Sequence, residues 1–298
     1  MPKKVSIGAI NITMHPHSPL DYVKLFKDAR KMECFSKMSK DKAGLIAKVN
    51  YQDKSKGKTS PITGDLYRFS HIDTNGNWFN TLTNQHAEED ELDAVNIPEH
   101  LKPNSSRFSY LFFPESHVLF YESYYDGHTL GSQSALKLIE GVLNDERLVK
   151  KYGVVDVTII PCKENLSEAL SIPSMNKLTM LIKRPNPDGL KKAEQKVLNR
   201  FNAQNIAKYK HELVAVPGIS LEPDEDTKTL ANIAAKNGSV GVIGRDQQDH
   251  PIEYKTENHP WTIAEYYNPK IETAYNTFSN AVFKARQYIE SWVEDKDG

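Results

Sequence analysis

Apolar residues recur along this chain with two spacings, every second position and every third or fourth, and the switches between them predict the elements. Over residues 5–13 (VSIGAINIT) β-branched residues alternate with small or polar ones, which predicts a strand. Leu20, Val23, Phe26 and Ala29 then follow at helical spacing behind Ser18 and Pro19. A hydroxyl at the N-cap and a proline at the first helical position are strong start signals, so a helix is expected over 18–32. Residues 43–52 and 62–72 predict an antiparallel pair. The Lys-rich DKSKGKTSP between them (53–61) has no apolar anchor and is expected to be mobile.

After the acidic run at 87–93, Pro98 and Pro103 push their preceding residues out of the helical region, so IPEHLKPN is expected to be extended and irregular. RFSYLFF (107–113) and HVLFYESYY (117–125) flank PES as a hairpin of aromatic and β-branched strands. From Leu130 to Tyr152, Leu136, Ile139, Val142, Leu143 and Leu148 keep helical spacing up to the stop at Gly153, which predicts one long helix. Strand 154–162, helix 165–172, strand 177–184, helix 189–201 and strand 208–216 follow in βαβαβ order. Helix 224–238, strand 239–245, a hairpin through DQQDHPIEYK and a helix over 271–293 complete the pattern. Together these predict an α+β fold of mixed, largely antiparallel sheets packed with helices, divided into closely packed regions 1–129 and 130–298.

Composition changes this picture little. Hydrophobic residues are 39% and charged residues 26% of 298, an ordinary globular balance that excludes disordered and fibrous classes. No apolar run reaches the roughly 18–20 residues that span a bilayer, and the start lacks the apolar core of a secretion signal, so a cytoplasmic protein without membrane insertion is expected. Cys34 and Cys162 stand alone, without a CxxC or a histidine at ligand spacing, which fits a reducing compartment. Charge does change it. The net of −1 hides alternating blocks: residues 1–60 hold 13 Lys and Arg against 5 Asp and Glu, and residues 61–130 hold 3 against 11. Such blocks either build a basic face for an anionic partner or neutralise one another across the fold.

Candidate chemistry is sparse. His15 and His17 follow a strand and offer two imidazoles to a metal, although HPHSP equally makes a turn and helix cap. Asp246 followed by Glu253-Tyr254-Lys255 resembles the acid and E-x-K set of metal-dependent nucleases, in which carboxylates hold Mg²⁺ and the lysine positions water. Charged residues alternating on an exposed strand spell the same letters. Phosphate-loop, nucleophile-elbow and zinc-protease motifs are absent, so no cofactor is expected beyond Mg²⁺ under the nuclease alternative. The basic residues are more suggestive. Lys183 and Arg184 end a strand, Lys191, Lys192, Lys196 and Arg200 lie on the next helix, and Lys208 and Lys210 begin the next strand. Lys192, Lys196 and Arg200 share a helix face, a pattern that tracks a DNA or RNA backbone. Tyr121, Tyr124, Tyr125, Tyr254, Tyr266 and Tyr267 offer stacking surface, but aromatic strand residues more often pack a sheet.

The opening strand with HPHSP, ITGDLYRFSHID followed by WF, the acidic run, IPEHLKPN and the FxYLFFPESHVLFYE hairpin, read in order, resemble a bacterial family known as domain of unknown function 4747 over most of the first 145 residues. That family supplies no catalytic residues to carry over. From KLTMLIKRPN through IAAKNGSVGVIGRDQQDHPIEYK to the closing helix, the chain is similar in length and element order to RexA-type phage-exclusion proteins. The resemblance implies an anti-phage role, DNA binding without sequence specificity and a homodimer. A nuclease effector and a non-catalytic subunit that senses phage or binds a partner protein of a defence system are the alternatives.

Overall fold

In the computed structural model, which describes residues 1–15, 18–53, 55, 60–73, 76–93, 95, 97–185 and 192–290, the opening alternation becomes the central strand of the larger sheet. β1 (Lys3–Met14) turns Val5, Ile7 and Ala9 to one side and Ile10, Ile12 and Met14 to the other, and all six are buried. Successive side chains of a strand point to opposite faces, so this strand has a layer on each side. α1 (Pro19–Lys31) begins as expected: Ser18 Oγ accepts the Asp21 N–H, and Pro19 holds the first position.

β2 (Phe35–Lys37), β3 (Lys42–Ile46), β4 (Asn50–Tyr51) and β5 (Ile62–Ser70) follow, and both β3 and β4 pair antiparallel with β5. Most of the Lys-rich stretch expected to be mobile lies outside the described residues. β6 (Phe79–Asn80) and β7 (Gln85–His86) make a small hairpin before α2 (Glu89–Asp93), a short helix within the acidic run. β8 (Ser106–Phe113) and β9 (Val118–Tyr125) form the expected hairpin, and β10 (His128–Thr129) folds back on β9.

The single helix expected from Leu130 to Tyr152 is two, α3 (Ser132–Leu143) and α4 (Glu146–Tyr152). Asn144 and Asp145 break it. The Asn144 amide donates to the Glu140 and Val155 carbonyls and accepts the Val155 N–H, while Asp145 caps α4 by accepting the Arg147 N–H. Asn and Asp side chains compete with the helical ladder for backbone partners, which the apolar spacing alone does not reveal. Gly153, at φ 79°, ends α4 as expected.

β11 (Val155–Ile159), α5 (Lys163–Ala169), β12 (Ser174–Lys183), α6 (Lys192–Gln204) and β13 (Lys208–Val214) keep the expected order. Their strands divide between two sheets, because β11 pairs with β1 whereas β12 pairs with β13. α7 (Glu225–Asn237), β14 (Gly238–Arg245) and β15 (Pro251–Lys255) follow. β16 (Thr262–Tyr267), not among the expected strands, returns to β1, and α8 (Ala274–Glu290) closes the described chain.

The fold is α+β, and every pairing among the described strands is antiparallel. The large sheet runs β11-β1-β9-β8-β5-β3-β2 and curls into a half-barrel. β16 and β11 lie end to end on one edge of β1, against Lys3–Gly8 and Ile10–Met14. One face packs on α1, α3 and α4, where Phe26 stacks on Phe112 at a centroid distance of 4.8 Å; the other packs on Trp261 and on Phe278 and Val282 of α8. The small sheet, β13-β12-β14-β15, has α6 and α7 on one face only. Polar contacts fasten the sheets together: Lys183 to Asp156 at 3.3 Å, and the Asn11 amide to the Lys236 carbonyl at 3.1 Å. No helix among the described residues is long and apolar enough to cross a membrane.

Candidate functional site

α6 buries Leu198 and Phe201 against the small sheet and leaves the opposite side to solvent. Lys192, Lys196 and Arg200 stand on that side at i, i+4 and i+8, so with 1.5 Å of rise per residue neighbouring cations are about 6 Å apart along the axis. The helix has one acid, Glu194. It faces inward at 1% exposure, and Lys236 meets its carboxylate at 3.2 Å. Among the described residues neither Lys192 nor Lys196 has an ion-pair partner. The Arg200 guanidinium lies 4.8 Å above the Tyr209 ring, and Arg184 donates to Asn202 on the same helix. The cations are therefore laid in a row without neutralising carboxylates among the described residues.

The rest of the expected basic set divides. Lys183 is a fastener between the sheets, its ammonium on Asp156 and on the Val157 carbonyl at 3.2 Å. Lys208 and Lys210 alternate with Tyr209 along β13, so they project to the face away from α6. There Lys210 is 3.4 Å from Glu212, which also holds Lys177 at 3.0 Å. Lys191 lies outside the described residues. A one-dimensional charge run conceals this split, because a strand sends every second residue to the other side.

Of the nuclease set, Glu253 and Lys255 meet, while Asp246 is engaged by the backbone of its own turn. The Asp246 carboxylate accepts the Gln248 and His250 N–H groups at 2.9 Å, which hold it below the ordinary carboxylate pKa, and Glu253 is ion-paired with Lys255 at 2.6 Å on the open sheet face. Among the described residues no three His, Cys, Asp or Glu side chains converge as a metal site. His15 Nε2 bonds the Arg184 carbonyl at 3.2 Å, and His17 lies outside the described residues. Of the tyrosines, Tyr121 is buried and Tyr254 stacks on His259, while Tyr266 is exposed.

A second site was not visible in the sequence. On α8, Ala281, Lys284, Ala285 and Tyr288 recur at i, i+3, i+4 and i+7; opposite them stand Trp261, Ile263 and Glu265, alternate residues leading into and along β16. Together with Cys162, Glu164 and Asn165 they line a cleft of about 670 Å³. The Glu164 carboxylate accepts the Cys162 thiol at 3.1 Å and the Tyr288 hydroxyl, which hold its pKa down. Burial pushes the Cys162 thiol up, so it is not an activated nucleophile. The helical spacing on α8 was legible, but the cleft was not, because its other wall is the strand the periodicity missed.

None of the curated proteins compared with this chain matches it. The sequence profile of the domain of unknown function DUF4747 matches residues 3–283, and so runs through both sheets and into α8, well past the first 145 residues on which the resemblance rested. It covers the second half, where the sequence reading looked to RexA-type proteins, and the chain belongs to the DUF4747 family.

Proposed function

We propose that this protein binds nucleic acid through the phosphate backbone, along the solvent face of α6. The observation that carries the reading is the row Lys192, Lys196, Arg200, in which the one acid of the helix is turned inward and neutralised by Lys236. A polyanion gains most from cations that have no protein carboxylate to leave, and releases counterions as it docks. The one aromatic residue of α6, Phe201, is buried against the small sheet and does not reach the solvent face of the helix. This favours backbone charge over base stacking as the source of affinity. A role in phage exclusion, as a homodimer or with a partner protein, is a wider proposal supported by the likeness to RexA-type proteins alone.

Fluorescence anisotropy with labelled 30-nucleotide DNA and RNA duplexes tests the reading. Affinity is expected to fall by one to two orders of magnitude between about 50 and 200 mM salt, with little dependence on sequence. The triple variant Lys192→Ala, Lys196→Ala, Arg200→Ala is expected to flatten the salt slope by about two to three units. Binding that is absent at 50 mM salt, or unchanged in the triple variant, overturns it.

A further inference from the structure

We propose that the cleft between α8 and β16 binds a small zwitterion with an aromatic ring, of the chemical kind of a free aromatic amino acid. Its apolar floor is Trp261 and Ile263, and its volume comes from two alanines one turn apart, Ala281 and Ala285, 5% and 8% exposed. Any larger side chain there would fill the slot. A cavity of this size, mostly apolar with a few polar groups on its rim, suits a small organic ligand.

The rim defines the charges. Glu164 accepts Cys162 and Tyr288, one on each carboxylate oxygen, and the Asn165 amide is held by His259 Nδ1 at 3.0 Å. Lys284 on the helix wall and Glu265 on the strand wall line the same cleft, and neither has an ion-pair partner among the described residues. Two opposite charges that face one apolar slot without meeting each other match a ligand that bears both signs. Its carboxylate pairs with Lys284, its ammonium with Glu265, and its ring lies between the alanines and the Trp261 segment. A purely anionic or purely cationic ligand leaves one of the two unpaired.

Isothermal titration calorimetry of the full chain with L-tryptophan, tryptamine and indole-3-propionate tests this. L-Tryptophan is expected to bind one to one, with each single-charge analogue about tenfold weaker, the equivalent of roughly 1.4 kcal/mol. Lys284→Met is expected to abolish the preference over tryptamine, and Glu265→Gln the preference over indole-3-propionate. Both positions are exposed, so these variants keep the fold. Ala285→Phe fills the slot and is expected to abolish binding, with circular dichroism reporting whether it has folded. No heat with L-tryptophan at millimolar concentration, or charge preferences that survive both exposed substitutions, overturns the proposal.

Discussion

The two sheets share antiparallel pairing but differ in what covers them. In the large sheet β8 is buried without interruption from Phe108 to Phe113, because α8 lies over one face and α1, α3 and α4 over the other. In the small sheet β13 alternates exposed with half-buried residues along its whole length, because α6 and α7 cover a single face. A doubly covered strand reads as a continuous apolar run, and a singly covered one as an alternation. The difference separates framework from surface. Residues of the first kind are held by packing from both sides, whereas those of α6 and the small sheet are held from one side only and meet solvent on the other.

The largest expected effect is in the doubly covered layer. Phe112 is fully buried, stacked on Phe26 and tilted against Tyr22 at 5.6 Å. Phe112→Ala removes both contacts and leaves a cavity that a two-sided sheet has little freedom to close, at a cost of about 3–5 kcal/mol. Urea denaturation measures it. A loss under about 1 kcal/mol breaks the comparison, since it shows a layer that collapses as easily as an open face.

Glu122 is the most deeply buried of the few polar side chains within that layer, and its effect is smaller and depends on pH. It is fully buried on β9, with Oε2 accepting the Ser109 N–H at 2.6 Å and Oε1 without a hydrogen-bond partner. Burial raises its pKa above the ordinary 4.5 and nearby Asp65 adds to the shift, against the Ser109 hydrogen bond and Arg107. A carboxyl whose folded pKa is raised stabilises the fold fully below its unfolded pKa, and that contribution is lost as pH rises toward the folded value. Glu122→Gln keeps the shape without the ionisation. It is therefore expected to gain on the wild type as pH rises from 4.5 to 8, by on the order of 1 kcal/mol. A variant that loses ground over that interval reverses the sign and removes Glu122 from the account.

How much of this was readable in advance follows from the same contrast. The α+β class, the β8–β9 hairpin and the Ser18-Pro19 start of α1 came directly from spacing and capping chemistry, which are local. The break at Asn144-Asp145 did not, because it depends on side-chain hydrogen bonds that reach Val155 on the following strand. The assignment of β11 to the large sheet and β12 to the small one is a long-range choice that alternating βα order leaves open. At the candidate interface, the row on α6 was legible from the i, i+4 rule. The removal of Lys183, Lys208 and Lys210 from it was not, since that needs the direction in which each strand residue points. β16 escaped because six residues, TIAEYY, carry too short a pattern to separate from loop, and the cleft went with it.

The smallest expected effect tests whether the open face is as free as it looks. Thr179 lies near the middle of that face, opposite Glu212 on one side and Gly241 on the other. Its hydroxyl is 3.5 Å from Glu212, a contact at the limit of a hydrogen bond. Thr179→Lys adds a cation beside Glu212, where Lys177 and Lys210 already stand. Stability is expected to change by less than about 0.5 kcal/mol, as for surface positions without packing partners. Nucleic-acid affinity and its salt slope are also expected to stay at wild-type values, because α6 lies across the sheet from the new charge. Anisotropy at two salt concentrations decides it. A steeper slope in this variant means that the polyanion crosses the open face, and it moves the binding surface from the helix to the sheet.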